Sequence, residues 1–97
     1  MRPESTLENY FIEQAENHGF LQYKFLSGKT GVPDRIIIGH GKTAFVELKA
    51  ADGIVSKRQN FVIRSMRKHG ALVFIPYNKN DIDEIFKTLC KEITALD

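Results

Sequence analysis

Val32-Pro33-Asp34-Arg35-Ile36-Ile37-Ile38, then Gly39-His40-Gly41-Lys42, then Thr43-Ala44-Phe45-Val46-Glu47-Leu48-Lys49: this run decides how the chain is read. Two β-rich segments flank a glycine-containing turn, the pattern of an antiparallel hairpin. With the turn centred between His40 and Gly41, Gly39 faces Lys42, Ile38 faces Thr43 and Asp34 faces Glu47. Directly opposed side chains share a sheet face, with Cβ atoms roughly 4.5–5.5 Å apart. Side chains alternate along a strand, so Lys49 points to the same face as Glu47. The hairpin therefore gathers two acids and an amine.

Two carboxylates that close repel one another unless positive charge lies between them. A divalent cation with an ammonium beside it meets that requirement. Magnesium takes one or two protein carboxylates and leaves its remaining positions to water and substrate phosphate, which suits Asp34 and Glu47 as ligands. Such an ion lowers the pKa of a bound water and offsets charge building on a phosphodiester under attack. Lys49 would orient or deprotonate that water, or stabilise the developing charge; the sequence does not choose among these.

The chain has 97 residues, 42% hydrophobic and 27% charged, which predicts one soluble domain spanning residues 1–97. No apolar run approaches the roughly 20 residues that span a bilayer, so no membrane partner is expected. The opening Met1-Arg2-Pro3-Glu4-Ser5 does not resemble a signal peptide, and the single cysteine, Cys90, forms no internal disulfide. Both fit a cytoplasmic location. The net charge of +2 hides a segregation: residues 17–79 carry eleven Lys/Arg against Asp34, Glu47 and Asp52, a local excess of +8, while both ends are acidic. A basic middle around a small acidic pocket suits a polyanion combined with a cation site.

Around the hairpin the pattern predicts α-β-β-β-α-β-α, a mixed sheet covered on both sides by helices. Ser5-Thr6-Leu7-Glu8 is a capping box opening a helix over about 6–18, stopped at Gly19. Phe20–Leu26 reads as a first strand. Ala50–Val55 is a connection, and Ser56 caps a second helix over about 57–69 with Phe61, Val62 and Met66 facing the core. Residues 71–76 form a short buried strand. Asn80 caps a last helix whose apolar stripe is Ile82, Ile85, Phe86, Leu89, Ile93 and Leu96.

The hairpin residues match a known pattern. Gly31-x-Pro33-Asp34, Phe45-x-Glu47-x-Lys49, Gly53 and Ser56-x-x-Gln59 resemble the PD-(D/E)xK nuclease superfamily, and specifically its VRR-NUC branch. The resemblance implies a restriction-endonuclease-like α-β-β-β-α-β core with a C-terminal helix. It implies Mg²⁺-dependent DNA cleavage, with Mn²⁺ able to substitute. Asp34 and Glu47 would be metal ligands, with Leu48 among the metal-contacting positions, Lys49 the catalytic lysine and Gln59 close to the site. A first-helix glutamate would join them; Glu8 is favoured over Glu4 and Glu13. Small stand-alone members are implied to be viral or prophage nucleases acting as homodimers on branched, four-way or cruciform DNA.

Plainer readings stand beside these. Asp34 after Pro33 is also a common way to begin a strand. Ser56-x-x-Gln59 is a good capping box, and Glu8 completes another with Ser5. Lys57, Arg58, Arg64, Arg67 and Lys68 make the second helix basic; next to a metal site they are expected to hold DNA backbone, with Lys24, Lys29, Arg35 and Lys42 extending that surface. His18, His40 and His69 lack metal-ligand spacing, and Cys90 reads as packing. The competing function is a non-catalytic DNA-binding or assembly module using the same basic surface.

Overall fold

The protein, seen in a computed structural model, is described over residues 3–24, 26–49 and 53–96, with side chains from Thr6 to Lys91 within that span. The expectations resting on the Ser5 side chain, Glu4, Phe25, residues 50–52, Ile93 and Leu96 lie outside what is described. The elements run α1 Pro3–Asn17, β1 Leu21–Lys24, β2 Arg35–Gly39, β3 Lys42–Val46, α2 Lys57–Lys68, β4 Leu72–Phe74 and α3 Lys79–Leu96. This is the expected order.

The sheet order is β1-β2-β3-β4. The first two pairings are antiparallel and the β3–β4 pairing is parallel, with α2 as the crossover between them. In the hairpin, Arg35 pairs Val46, Ile37 pairs Ala44 and Gly39 pairs Lys42, the register read from the turn. His40 and Gly41 have φ of 54° and 77°, both positive, as a two-residue turn matched to strand twist demands.

One sheet face packs on α1 and α3. Ile37, Ala44, Val46 and Leu48 meet Leu7 and Phe11 from α1, and Ile82, Phe86 and Leu89 from α3, all within a single buried cluster. Phe86 is at its aromatic centre: its ring lies 5.3 Å from Phe20, 6.0 Å from Phe11 and 5.2 Å from the stacked His18 ring. The other face carries α2, which buries Val62 and Ile63 near Val73. A helix is about 10 Å across and strands are about 4.8 Å apart, so one helix covers only about two strands. Coverage on this side is accordingly partial: Leu21, Tyr23 and Ile38, at the β1 end, remain exposed.

Local boundaries shift for physical reasons. Helix α1 begins at Pro3, whose fixed φ and missing N–H suit a first helical position, so Ser5 is not its cap. Helix α3 is capped by Asn78 and not Asn80: the Asn78 side chain accepts from the Asp81 N–H at 2.8 Å, and the Asp81 carboxylate accepts from the Tyr77 N–H at 2.9 Å. Phe61 does not face the core. It is 67% exposed, and Ile63 takes the buried position. Phe61 lies on the helical line of Lys57, Arg64 and Lys68, a charged stripe, and that spacing was already present in the sequence.

The largest departure is Arg35. Expected on the basic surface, it is 5% exposed, because it occupies the same sheet face as Ile37 and points into the α1 side of the core. Glu8 pairs with its guanidinium, Gln22 accepts from it at 3.3 Å, and its carbon lies 5.9 Å from the Phe11 ring centre. A buried charge persists only when compensated in this way. Removing Glu8 strands the guanidinium. The full penalty for a buried pair is discounted because Glu8 is 35% exposed. Glu8→Ala is expected to destabilise the metal-free protein by about 1–3 kcal/mol, a melting-temperature fall of roughly 5–20 °C. Thermal unfolding monitored by circular dichroism checks this; an unchanged midpoint would mean that Arg35 finds its compensation elsewhere.

Candidate functional site

The site lies on the α2 side of the sheet, at the end of the hairpin away from its turn. Alternation fixes the faces. Val46 and Leu48 turn into the α1/α3 core, so Glu47 and Lys49 turn the other way. The chain stays extended beyond the last residue of β3, because the Glu47 N–H donates to the Phe74 carbonyl at 3.0 Å and the Lys49 N–H to the Pro76 carbonyl at 3.1 Å. Asp34 immediately precedes β2, one step before the Arg35–Val46 pair, and is exposed. Extending the register by that step sets it opposite Glu47.

The segment leading to Asp34 is pinned from both sides. Pro33 is fully buried. Gly31 has φ of 99°, and a Cβ there would come within 3.0 Å of the Val62 side chain and 3.1 Å of the Arg58 carbonyl. Only glycine allows this backbone to lie directly on α2. The Arg58 side chain adds a bond to the Thr30 carbonyl at 3.4 Å. The G-x-P-D spacing thus has a mechanical reason: it docks the loop on α2 and delivers the carboxylate of Asp34 at the start of β2.

Glu47 is the electrostatic centre. One of its carboxylate oxygens lies 3.6 Å from the Lys49 ammonium, with the Glu47 and Lys49 side chains 14% and 18% exposed. The same oxygen accepts from the Gln59 amide nitrogen at 3.2 Å. Burial, then the neighbouring Asp34 charge, push its pKa above the ordinary value; Lys49 and Gln59 oppose the rise without cancelling it.

Gln59 holds both of the parts read for it. Its side-chain oxygen accepts from the Ser56 N–H at 3.1 Å, and its own N–H donates to the Ser56 hydroxyl at 3.0 Å, which completes the capping box of α2. The other end of the same amide reaches Glu47. The helix cap and the site therefore share one side chain, and the cap fixes which way the amide points.

Asp34, Glu47, Lys49 and Gln59 are brought together. Leu48 is buried in the core cluster, so only its main-chain carbonyl is a donor available to an ion. Glu8 is not brought to them: it lies on the α1 side with Arg35, with Lys24 at 4.0 Å from the same oxygen, and Glu13 is exposed. Among the described residues no three His, Cys, Asp or Glu side chains converge on one point. Lys29, Lys57, Arg58, Arg64 and Lys68 are exposed, the last four along α2, whereas Arg35 is buried.

No family model matches the chain, and no curated protein matches it. A solved structure described as a VRR_NUC domain is similar, with 27% identity and a TM-score of 0.81, over 90% of this chain and 97% of that one. The α-β-β-β-α-β-α arrangement with its acid–acid–lysine hairpin is a nuclease-type fold. This likeness agrees with the VRR-NUC resemblance read from the hairpin residues. No helix among the described residues is long and apolar enough to cross a membrane.

The raised pKa of Glu47 has a defined effect on stability. The folded chain holds this proton more tightly than the unfolded chain, whose glutamate titrates near 4.5. Stability from this group is complete below that value and is lost as pH rises through the raised one. In metal-free buffer, Glu47→Gln should become progressively more stable relative to the parent as pH climbs from the acidic range to neutrality. Paired melting curves across pH read this directly; a difference that is flat or of opposite slope would show that Glu47 is not strained in the folded state.

Proposed function

We infer that this protein is a divalent-metal-dependent DNA endonuclease that hydrolyses phosphodiester bonds. The observation that carries the reading is the half-buried Glu47, opposite Asp34 and within reach of Lys49 and Gln59. A carboxylate kept out of water beside a second carboxylate is unfavourable for folding alone, and a divalent cation relieves both costs. Two carboxylates and a main-chain carbonyl suit Mg²⁺, which leaves positions for water and phosphate; Mn²⁺ accepts the same donors. Asp34 and Glu47, with the Leu48 carbonyl, would hold the ion. When bound, the ion supplies a lowered water pKa and charge neutralisation at phosphorus.

The chain's own groups do the rest. Lys49 keeps an ammonium beside Glu47 and is placed to meet a phosphate oxygen or orient the attacking water. Gln59 restrains the Glu47 carboxylate so that it presents a fixed oxygen. Arg58 lies beside the Asp34 loop, and Lys29, Lys57, Arg64 and Lys68 offer exposed charge to DNA phosphates. Glu8, implied as a third ligand by the resemblance, acts in this reading through Arg35 and the sheet. Selectivity for branched DNA and action as a homodimer, which would set two cuts on opposed strands, also belong to the proposal.

The test is a cleavage assay on linear, single-stranded, flapped and four-way DNA with Mg²⁺ or Mn²⁺. Glu47→Ala and Lys49→Ala are each expected to lower cleavage by about 10²–10³-fold or more, while DNA affinity changes only a few-fold. Full activity in either variant, or no cleavage by the parent with any divalent ion, would overturn the reading. The second outcome would leave a salt-sensitive DNA-binding module.

A further inference from the structure

Phe61 takes no part in the buried core. It sits on the outer face of α2, 67% exposed, although the helix already buries Val62 and Ile63. Lys57, Phe61, Arg64 and Lys68 follow at spacings of four, three and four residues, which aligns them as one stripe. Among the described residues none of these three cations is held in an ion pair. The ring stands as a ridge between two hollows. The larger, of about 720 Å³, is lined with Lys57, Asn60, Arg64, Lys68 and His69. The smaller, of about 290 Å³, lies toward Lys29, Val32, Val62 and Met66.

An exposed aromatic ring costs solvation wherever it lies, and lone apolar residues on a surface are common. One set among unpaired cations is a different arrangement, because it pairs a flat apolar face with phosphate-binding charge. A nucleic acid offers both complements only where its bases are unstacked: in a paired duplex the phosphates are outside and the base faces are hidden. A second copy of this chain is disfavoured as the occupant. A twofold contact through this stripe would set Lys57, Arg64 and Lys68 against their own equivalents.

We propose that Phe61 is a stacking platform for an unpaired base, with Lys57, Arg64 and Lys68 holding the flanking phosphates, and that it directs the protein to DNA with single-stranded or branched segments. This rests on the reading that the chain binds DNA, and it deepens that reading by assigning the structural preference to one side chain. Phe61 lies on the face of α2 away from Gln59, so it acts on binding and not on the reacting atoms.

The chain contains no tryptophan, so Phe61→Trp introduces a single indole at the platform. In chelator-containing buffer, which blocks cleavage, a short single strand and a flapped duplex should quench its fluorescence, and a fully paired duplex of equal length should not. Phe61→Ala should weaken binding of the single strand and the flap by about five- to 150-fold, the range of one base stack, with duplex affinity within about twofold. Phe61→Tyr should retain the parent preference, and the slope of affinity against salt should not change in any variant, because no phosphate contact is lost. Equal loss for paired and unpaired DNA, equal quenching by both, or indole fluorescence that varies with protein concentration alone would overturn the proposal; the last would identify a self-association surface. The assay is independent of catalysis. If Glu47→Ala leaves cleavage intact the nuclease reading fails, whereas an unaltered DNA preference in Phe61→Ala removes only the platform.

Discussion

The antiparallel pairing of β2 with β3 is the constraint on which the rest depends. Because side chains alternate with a period of two, a slip of one residue would send every group on these strands to the opposite face. In the observed register Ile37, Ala44 and Val46 enter the cluster built on Phe86 and Phe11. Asp34, Glu47 and Lys49 are thereby left on the α2 side. The apolar side chains hold the register, and the polar ones are placed by it. A slip would bury both carboxylates against α1 and α3, at a cost far above anything the turn could recover. Arg35 shows what such a placement requires, since a charge on the core face persists only with Glu8, Gln22 and the Phe11 ring around it.

The second feature is that the site is held under electrostatic tension by parts that also build the fold. Glu47 is half-buried and faces Asp34, and its raised pKa expresses the cost. Lys49 and the Gln59 amide reduce that cost without removing it. Gln59 can do so because the N-terminal cap of α2 has already fixed its orientation. Gly31 supplies the complementary restraint, allowing the loop before Asp34 to rest on the same helix. One end of α2 therefore organises both sides of the site. Two carboxylates held close together on a partly buried face reduce stability, a cost that sites commonly carry for function.

Charge is distributed to match. Among the described residues the acids outside the site lie in α1 and α3, and the exposed cations of α2 stand on the outer side of the layer that carries the carboxylates. A polyanion approaching that side meets positive charge before it reaches the acid pair. The single α2 helix leaves Leu21, Tyr23 and Ile38 uncovered at the far end of the same face, so this side of the sheet is graded from charged to apolar.

Much of this was legible in the residues themselves. The His40-Gly41 turn and its register, the element order, and the convergence of Asp34, Glu47, Lys49 and Gln59 all follow from short-range rules: turn geometry, alternation along a strand, and a capping box four residues long. Those rules act over a few positions and need no knowledge of what packs where. The assignments that required the folded chain involve partners distant in sequence. Arg35 looked like a surface cation until α1 was seen to bring Glu8, 27 residues away, against its guanidinium. Glu8, implied as a third ligand by the resemblance, is the other half of that pair. Phe61 looked like core because it is aromatic and neighbours Val62, although its helical spacing placed it with the cations. Local pattern determined which residues share a face; only tertiary packing decided which faces are buried, because burial depends on what the rest of the chain lays against them.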